Sequence, residues 1–216
     1  MKLKNKDFIE IEFTARVKDG EVFDSNRKEE LKKLDSKTDA KPFVFSIGQG
    51  MFLKGIEEVL IGKEIGKHKI ELAAKDAFGL RNSKLIQRMS SKLFKEHNLN
   101  PVQGISFNFD GRVGKVLASS GGRVIVDFNN PVAGKDVIYD LDILRKIDNQ
   151  NEQIKAFIEF LFKRELKFEV KDKNVIIFVE KEAVKFVELF KEKFKEIFDL
   201  ELVVKELEEK TPKKSQ

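Results

Sequence analysis

The chain has 216 residues, with 42 Lys and Arg against 37 Asp and Glu, a net charge of +5. It contains no Cys and only two His, His68 and His97, so disulfides, thiolate nucleophiles and Cys-ligated zinc or iron–sulfur centres are excluded, and histidine chemistry has two side chains to draw on. Apolar residues make up 41% of the chain and include 20 Phe, enough to build cores, and the length suits two or three small domains better than one.

The N-terminus, MKLKNKDFIEIEF, interleaves charges with single apolar residues where a secretory leader needs a continuous apolar run. No window approaches the ~18 apolar residues of a membrane span. The expectation is a soluble, cytoplasmic protein with no membrane partner.

Residues 7–17 set Phe8, Ile9, Ile11, Phe13, Ala15 and Val17 against Glu10, Glu12, Thr14 and Arg16, the period of a half-buried strand. An Asp19-Gly20 turn returns the chain through Val22-Phe23-Asp24 and predicts a hairpin. Residues 25–41 are polar apart from Leu31 and Leu34 and read as a solvated excursion with room for one helical turn. Pro42 opens a strand over 43–47, broken at Gly48-Gln49-Gly50. Phe52, Leu53, Ile56, Val59 and Leu60 then fall near helical spacing until Gly62, and a strand follows over 68–73.

The pattern changes between 88 and 131. Short strands at 105–109, 112–117 and 123–128 are joined by Asp110-Gly111 and Gly121-Gly122, which predicts a separate β-rich unit. Residues 136–147 resume the alternation of the first hairpin, so a sheet begun before the insert is completed after it. Residues 148–153 (DNQNEQ) read as a polar hinge. Beyond it come a helix (Ile154, Phe157, Ile158, Leu161, Phe162), a hairpin of 166–170 and 175–179, one long helix striped by Ala183, Phe186, Phe190, Phe194 and Ile197, a strand at 200–204 and a frayed tail at 211–216. Acidic and basic side chains balance after residue 150, so the net charge belongs to the first part of the chain.

Several motifs stand in an order that resembles the FKBP family of peptidyl-prolyl isomerases: Phe13-Thr14-Ala15-Arg16-Val17-Lys18-Asp19-Gly20-Glu21-Val22-Phe23-Asp24-Ser25, then Pro42-Phe43-Val44-Phe45-Ser46-Ile47-Gly48, Lys54-Gly55-Ile56-Glu57-Glu58-Val59-Leu60, Gly62-Lys63-Glu64-Ile65-Gly66, Asp76-Ala77-Phe78-Gly79 and Tyr139-Asp140-Leu141-Asp142-Ile143-Leu144. The resemblance covers residues 5–87 and 132–147, and a unit placed within the flap is similar to the SlyD-type arrangement, where the insert is a chaperone domain. The additional C-terminal unit is similar to the long archaeal members. The resemblance implies an α+β protein: an FKBP-like antiparallel half-barrel wrapped on a short helix (1–87 with 132–148), an inserted small β-rich domain (88–131) and a C-terminal α+β domain (149–216). It implies no cofactor, and the His- and Cys-rich metal-binding tail of bacterial SlyD proteins is missing.

Position by position, the resemblance implies a catalytic pocket of Phe13, Asp24, Phe43, Leu53, Ile56, Phe78 and Tyr139, with Phe23, Phe45 and Phe52 beside the substrate and the backbone N–H of Leu53 as donor to its carbonyl. Phe78 stands where many members carry Tyr, and Ile56 where several carry Trp. An apolar cluster with one carboxylate suits the reaction on physical grounds too. Rotation about X-Pro breaks amide resonance against ~18–20 kcal/mol, and no covalent bond is cleaved. A twisted amide is less dipolar than a planar one, so a dry cavity favours the transition state.

Each feature also has a plainer reading. Phe is a core residue first, and Asp24 can cap the turn after the hairpin. His68 and His97 read as satisfied or solvated side chains. The run Arg81, Lys84, Arg88, Lys92, Lys95 lacks interleaved exposed aromatics and reads as a solvated face, not a nucleic-acid site. In the insert, Ile86, Met89, Leu93 and Phe94, together with Leu99, Val102, Ile105 and Phe107, read first as its core, which takes at least half of them, while so small a unit leaves the others as an apolar surface for unfolded or partly folded chains. A homodimer through residues 151–210 would cover an open sheet edge. The expected function is X-Pro isomerisation coupled to client holding. A holdase with little turnover and a ribosome- or nucleic-acid-associated protein are the alternatives.

Overall fold

A computed structural model describes residues 2–34 and 39–207. The N-terminal part runs β1 (Phe8–Val17), β2 (Val22–Ser25), α1 (Lys28–Lys33), β3 (Phe43–Ser46), α2 (Lys54–Leu60) and β4 (Gly66–Leu72). The insert follows as β5 (Ile86–Ser90), α3 (Ser91–Glu96), β6 (Ser106–Phe109), β7 (Arg112–Ser120) and β8 (Arg123–Asp127). The chain then returns as β9 (Val137–Ile147) and ends in α4 (Gln150–Phe162), β10 (Lys167–Lys171), β11 (Asn174–Val179), α5 (Val184–Glu188), α6 (Lys191–Phe198) and β12 (Glu201–Glu206). The 211–216 tail and positions 35–38 of the polar excursion lie outside the described residues. Among the described residues no helix is long and apolar enough to cross a membrane.

The first sheet is antiparallel, ordered β2-β1-β9-β4, with β3 also on β1. β9, which the chain reaches only after the insert, is therefore an interior strand. β2 and β3 share one edge of β1, and the gap between them is bridged by Asn26. Its Oδ1 accepts the Phe13 N–H at 2.8 Å and its Nδ2 donates to the carbonyls of Ile11 (3.0 Å) and Lys41 (3.2 Å). The side-chain amide thus satisfies backbone groups that neither strand reaches. α2 packs on the sheet through fully buried Ile56 and Leu60. Gly55 permits the approach, because a Cβ there would stand 2.4 Å from the Asp76 carbonyl oxygen.

The insert forms its own sheet, β5-β8-β7-β6, over a core of Phe94, Val116, Val124 and Val126. Its first strand starts two residues before 88, where Ile86–Ser90 pairs with β8 although its sequence shows little alternation of its own. The two chain crossings between the units are tied together. Asn129 accepts the Asn82 N–H at 2.8 Å and donates back to the Asn82 carbonyl at 3.1 Å, Arg81 pairs with Asp127, and the Gly134 N–H donates to the Gly79 carbonyl at 2.8 Å.

The C-terminal unit has a three-stranded sheet, β10-β11-β12, with β11 and β12 parallel. Two expectations need correction here. The DNQNEQ segment is no hinge: the Asn149 side chain caps α4 by accepting the Glu152 N–H at 3.0 Å, and Arg145 of β9 pairs with both Glu10 and Glu152. Its polarity serves helix capping rather than flexibility. One apolar core continues across the junction through Ile147, Ile154 and Phe157, and Phe8 stacks on Phe198 at 5.6 Å. The long Phe-striped helix is also two helices. After α5 the bonds tighten to Leu189 N–H with Phe186 O and Phe190 N–H with Val187 O, a 3₁₀ pattern. Phe194 and Phe198 then pack on Phe157 (5.2 and 5.6 Å), while Phe186 and Phe190 pack on Phe162 (6.1 and 5.3 Å).

Candidate active site

One continuous aromatic cluster lies between the sheet and α2. Phe13 of β1 meets Phe52 at 5.2 Å and Tyr139 of β9 at 5.9 Å, and Phe52 meets Tyr139 at 5.8 Å. Phe43 and Phe45, two apart on β3 and so on one face, stack at 5.6 Å and reach Phe52 at 5.7 and 5.2 Å. Phe23 of β2 contacts Tyr139 at 6.2 Å and Phe78 at 5.6 Å, which brings in the flap after β4. Centroid separations of this size with tilted or edge-on rings are favourable aromatic contacts. Rings from β1, β2, β3, the loop before α2, the flap and β9 thus converge.

They do not all face outward. Phe45 and Ile56 have no exposed surface and back the cluster from beneath, while Phe13 and Tyr139 show a few per cent. Phe23, Phe43, Phe52, Leu53 and Phe78 are half-buried and make the rim. Phe45 and Ile56 therefore shape the cleft without a face open to a ligand. The insert residues are not part of this cluster. Phe94 is buried in the insert's own core, which removes it as a client-contacting residue, and Met89 packs against that core. Ile86 and Leu93 remain exposed, alongside Val102, Ile105, Val113 and Ile125.

Asp24 stands at the open rim, held opposite Ala15 in the β1–β2 register. Its neighbour Ser25 is buried and donates from Oγ to the Phe13 carbonyl at 2.7 Å, which pins this stretch to β1. Loss of water around Asp24 pushes its carboxyl above the usual carboxylate range, and the Ser25 backbone N–H pulls weakly the other way. Tyr139 is pushed up from its ordinary phenol value, first by burial and then by the Asp24 charge. Its hydroxyl therefore stays protonated, a donor beside a carboxylate, and among the described residues nothing hydrogen-bonds to it.

Glu57 is a residue that composition and spacing did not single out. Lying on α2 and only 3% exposed, it accepts the N–H groups of Phe52 at 2.6 Å and Gly50 at 3.1 Å. This clamp fixes the loop entering α2, whose next residue is Leu53. The Leu53 carbonyl accepts from Ile56 and Glu57, whereas its N–H has no acceptor among the described residues. The result is a rigidly presented donor at the edge of an aromatic cleft. The only sequence signal for Glu57 was an acidic side chain in a first helical turn, a common surface choice.

His68 is half-buried with Nε2 2.7 Å from the Glu64 carbonyl, and His97 is exposed at the end of α3. An open cavity of 540 Å³ between the insert and residues 129–135 is lined by no residue of the cluster, and one of 340 Å³ between β3 and α4 shares Phe43 with it.

A family model described as FKBP-type peptidyl-prolyl cis-trans isomerase matches residues 1–95, and one described as FKBP26, IF domain, matches residues 90–132. The chain is 28% identical over 145 residues to a short-type peptidyl-prolyl cis-trans isomerase of Methanocaldococcus jannaschii, covering 65% of this chain and 92% of that one. It is 29% identical over 139 residues to the FKBP-type 16 kDa peptidyl-prolyl cis-trans isomerase of Escherichia coli, covering 62% and 87%. The SlyD protein of Escherichia coli is 24% identical over 160 residues, covering 71% and 75%. With the aromatic cleft, the presented Leu53 N–H and these relationships together, the chain is similar to FKBP-type peptidyl-prolyl cis-trans isomerases.

Proposed function

We propose that this protein isomerises X-Pro bonds in unfolded or partly folded polypeptides, and that the insert holds the client near the cleft. The observation that carries the reading is the aromatic cluster closed on one side by Glu57-positioned backbone. A prolyl ring entering over Tyr139 displaces water from the face of Phe13, Phe52 and Phe78. The Leu53 N–H then holds the carbonyl of the bond that rotates, and the dry wall favours the less dipolar twisted amide. The ~18–20 kcal/mol barrier falls without a nucleophile, in keeping with a site that lacks one.

The insert's exposed Ile86, Leu93, Val102, Ile105, Val113 and Ile125 support an insert-in-flap chaperone unit of the SlyD kind. Tethering a client there raises its effective concentration at the cleft. A cytoplasmic setting and the long archaeal organisation, with the C-terminal unit as third domain, complete the proposal. Self-association through that unit is supported by Phe186 and Leu189, 53% and 75% exposed. Light scattering of the full chain against Phe186→Glu with Leu189→Glu tests it, and equal masses corresponding to one chain end it.

The deciding experiment replaces residues 83–128 by a short loop, which the Asn82–Asn129 pairing leaves room for. This variant keeps wild-type turnover of a tetrapeptide in a protease-free assay and loses most acceleration of a proline-limited refolding reaction. Equal refolding by both proteins removes the insert from the mechanism. Absence of tetrapeptide turnover in the wild type leaves the holdase reading, in which proline segments bind without useful rotation.

A further inference from the structure

The groove between β3 and α4 adjoins the cleft. Phe43 lines it and also stacks within the aromatic cluster, so one residue belongs to both. Its 340 Å³ falls within the ~300–1,000 Å³ usual for binding sites. The floor is apolar, from Val44, Ala156 and half-buried Phe160.

Two further features specify what fits. First, among the described residues β3 pairs only with β1. The odd-numbered residues of β1 turn their backbone groups to this edge, as the bonds of Phe13 and Ile11 with Asn26 show, so Phe43 and Phe45, opposite Ile11 and Ile9, carry the ladder. The N–H and C=O of Val44 are then directed away from β1, on a bare strand edge. Second, the carboxylates here are already engaged, Glu159 by Lys41 and Lys155 and Glu152 by Arg145. Lys163 has the face of Phe160 at 4.6 Å and no carboxylate partner among the described residues. An unpaired ammonium thus stands at the end of an apolar channel.

We propose that this groove binds the stretch of client chain flanking the proline, as an extended segment that adds to the edge at Val44, lays an apolar side chain on Ala156 and Phe160, and sets an acidic side chain against Lys163. The C-terminal unit would then select sequence around the isomerised bond. This rests on the isomerase reading of the neighbouring cleft. The geometry favours an extended peptide because main-chain edge groups give affinity and alternate side chains give choice.

The test compares a tetrapeptide with longer X-Pro peptides that carry an apolar residue and either Glu or Lys in an added segment, placed before or after the proline. For the full-length wild type, the better-placed Glu peptide has kcat/KM about ten-fold above the tetrapeptide, mostly through KM. Ala156→Trp, which fills the groove, returns that peptide to the tetrapeptide value. Lys163→Glu reverses the preference between Glu and Lys peptides. Both variants turn over the tetrapeptide as the wild type does. Equal kcat/KM for all peptides, or an advantage that survives Ala156→Trp, overturns the proposal. Amide chemical shifts at Val44 and Ala156 during peptide titration separate the two readings. Shifts without tetrapeptide turnover sink the isomerase reading and keep the groove, and turnover without shifts does the reverse.

Discussion

Glu57→Gln tests whether the α2 entry loop is held for catalysis. Gln has the same shape, but its amide nitrogen must face one of the two N–H groups that the carboxylate accepts, from Gly50 at 3.1 Å or Phe52 at 2.6 Å. One charge-assisted bond, worth ~1.5–3 kcal/mol, is lost, and the other becomes a neutral bond. The expected destabilisation is about 2–3 kcal/mol, or a fall in Tm of roughly 4–12 °C at ~2–4 °C per kcal/mol for a chain of this size. The Leu53 N–H shifts with the loop. Since a displacement near 1 Å can cost on the order of 10²-fold, kcat/KM for a tetrapeptide should fall by ~10–100-fold at temperatures where the variant is fully folded. Circular dichroism melting and a protease-free isomerisation assay on the same samples give both quantities. A variant that loses stability and keeps kcat/KM refutes the positioning role. One that keeps both refutes the clamp itself.

Three other perturbations follow from the same geometry. Burial raises the Asp24 carboxyl in the folded state, so its contribution to stability is fully present below the unfolded value and is lost as pH rises through the folded one. Asp24→Asn is accordingly slightly more stable near neutral pH, by a small margin because the side chain is at the exposed rim, and the difference in Tm vanishes toward about pH 3; a constant difference across pH refutes the assignment. Gly55→Ala forces a Cβ to 2.4 Å from the Asp76 carbonyl, costs ~1–3 kcal/mol and displaces the flap, so that tetrapeptide kcat/KM falls with stability; wild-type kinetics would show that the flap does not depend on this contact. Ending the chain at Asp148 uncovers Phe8 and Ile147, each worth ~1.5–3 kcal/mol of burial, and lowers the urea midpoint of the isomerase unit; an unchanged midpoint would mean that the two units are independent.

The strands of the first unit were legible because one face is buried and the other wet, so Phe8 to Val17 and Val137 to Ile147 write their period directly into the sequence. The aromatic residues of the cleft were legible through spacing and motif. Their division into rim and floor was not, since Phe45 and Phe43 are the same residue type on the same strand face and differ only in what covers them. Glu57 was hidden for a related reason: an acidic residue early in a helix has an ordinary surface explanation, and only the fold reveals that Gly50 and Phe52 turn their N–H groups toward it. The DNQNEQ segment misled because capping and flexibility draw on the same polar residues. The break at Leu189 has no Pro or Gly to announce it. It follows from where Phe157 and Phe162 lie in three dimensions.

Because the two crossings into the insert leave the flap side by side, with Asn82 bonded to Asn129 and Gly79 to Gly134, the insert is attached at a point rather than along a surface. Such an attachment behaves as a cassette: the host sheet keeps its strand order whatever hangs from the junction. It also behaves as a lever. A load on the hanging unit reaches the host first at Gly79, one residue from Phe78, so that unit and the shape of the cleft are mechanically joined at the flap.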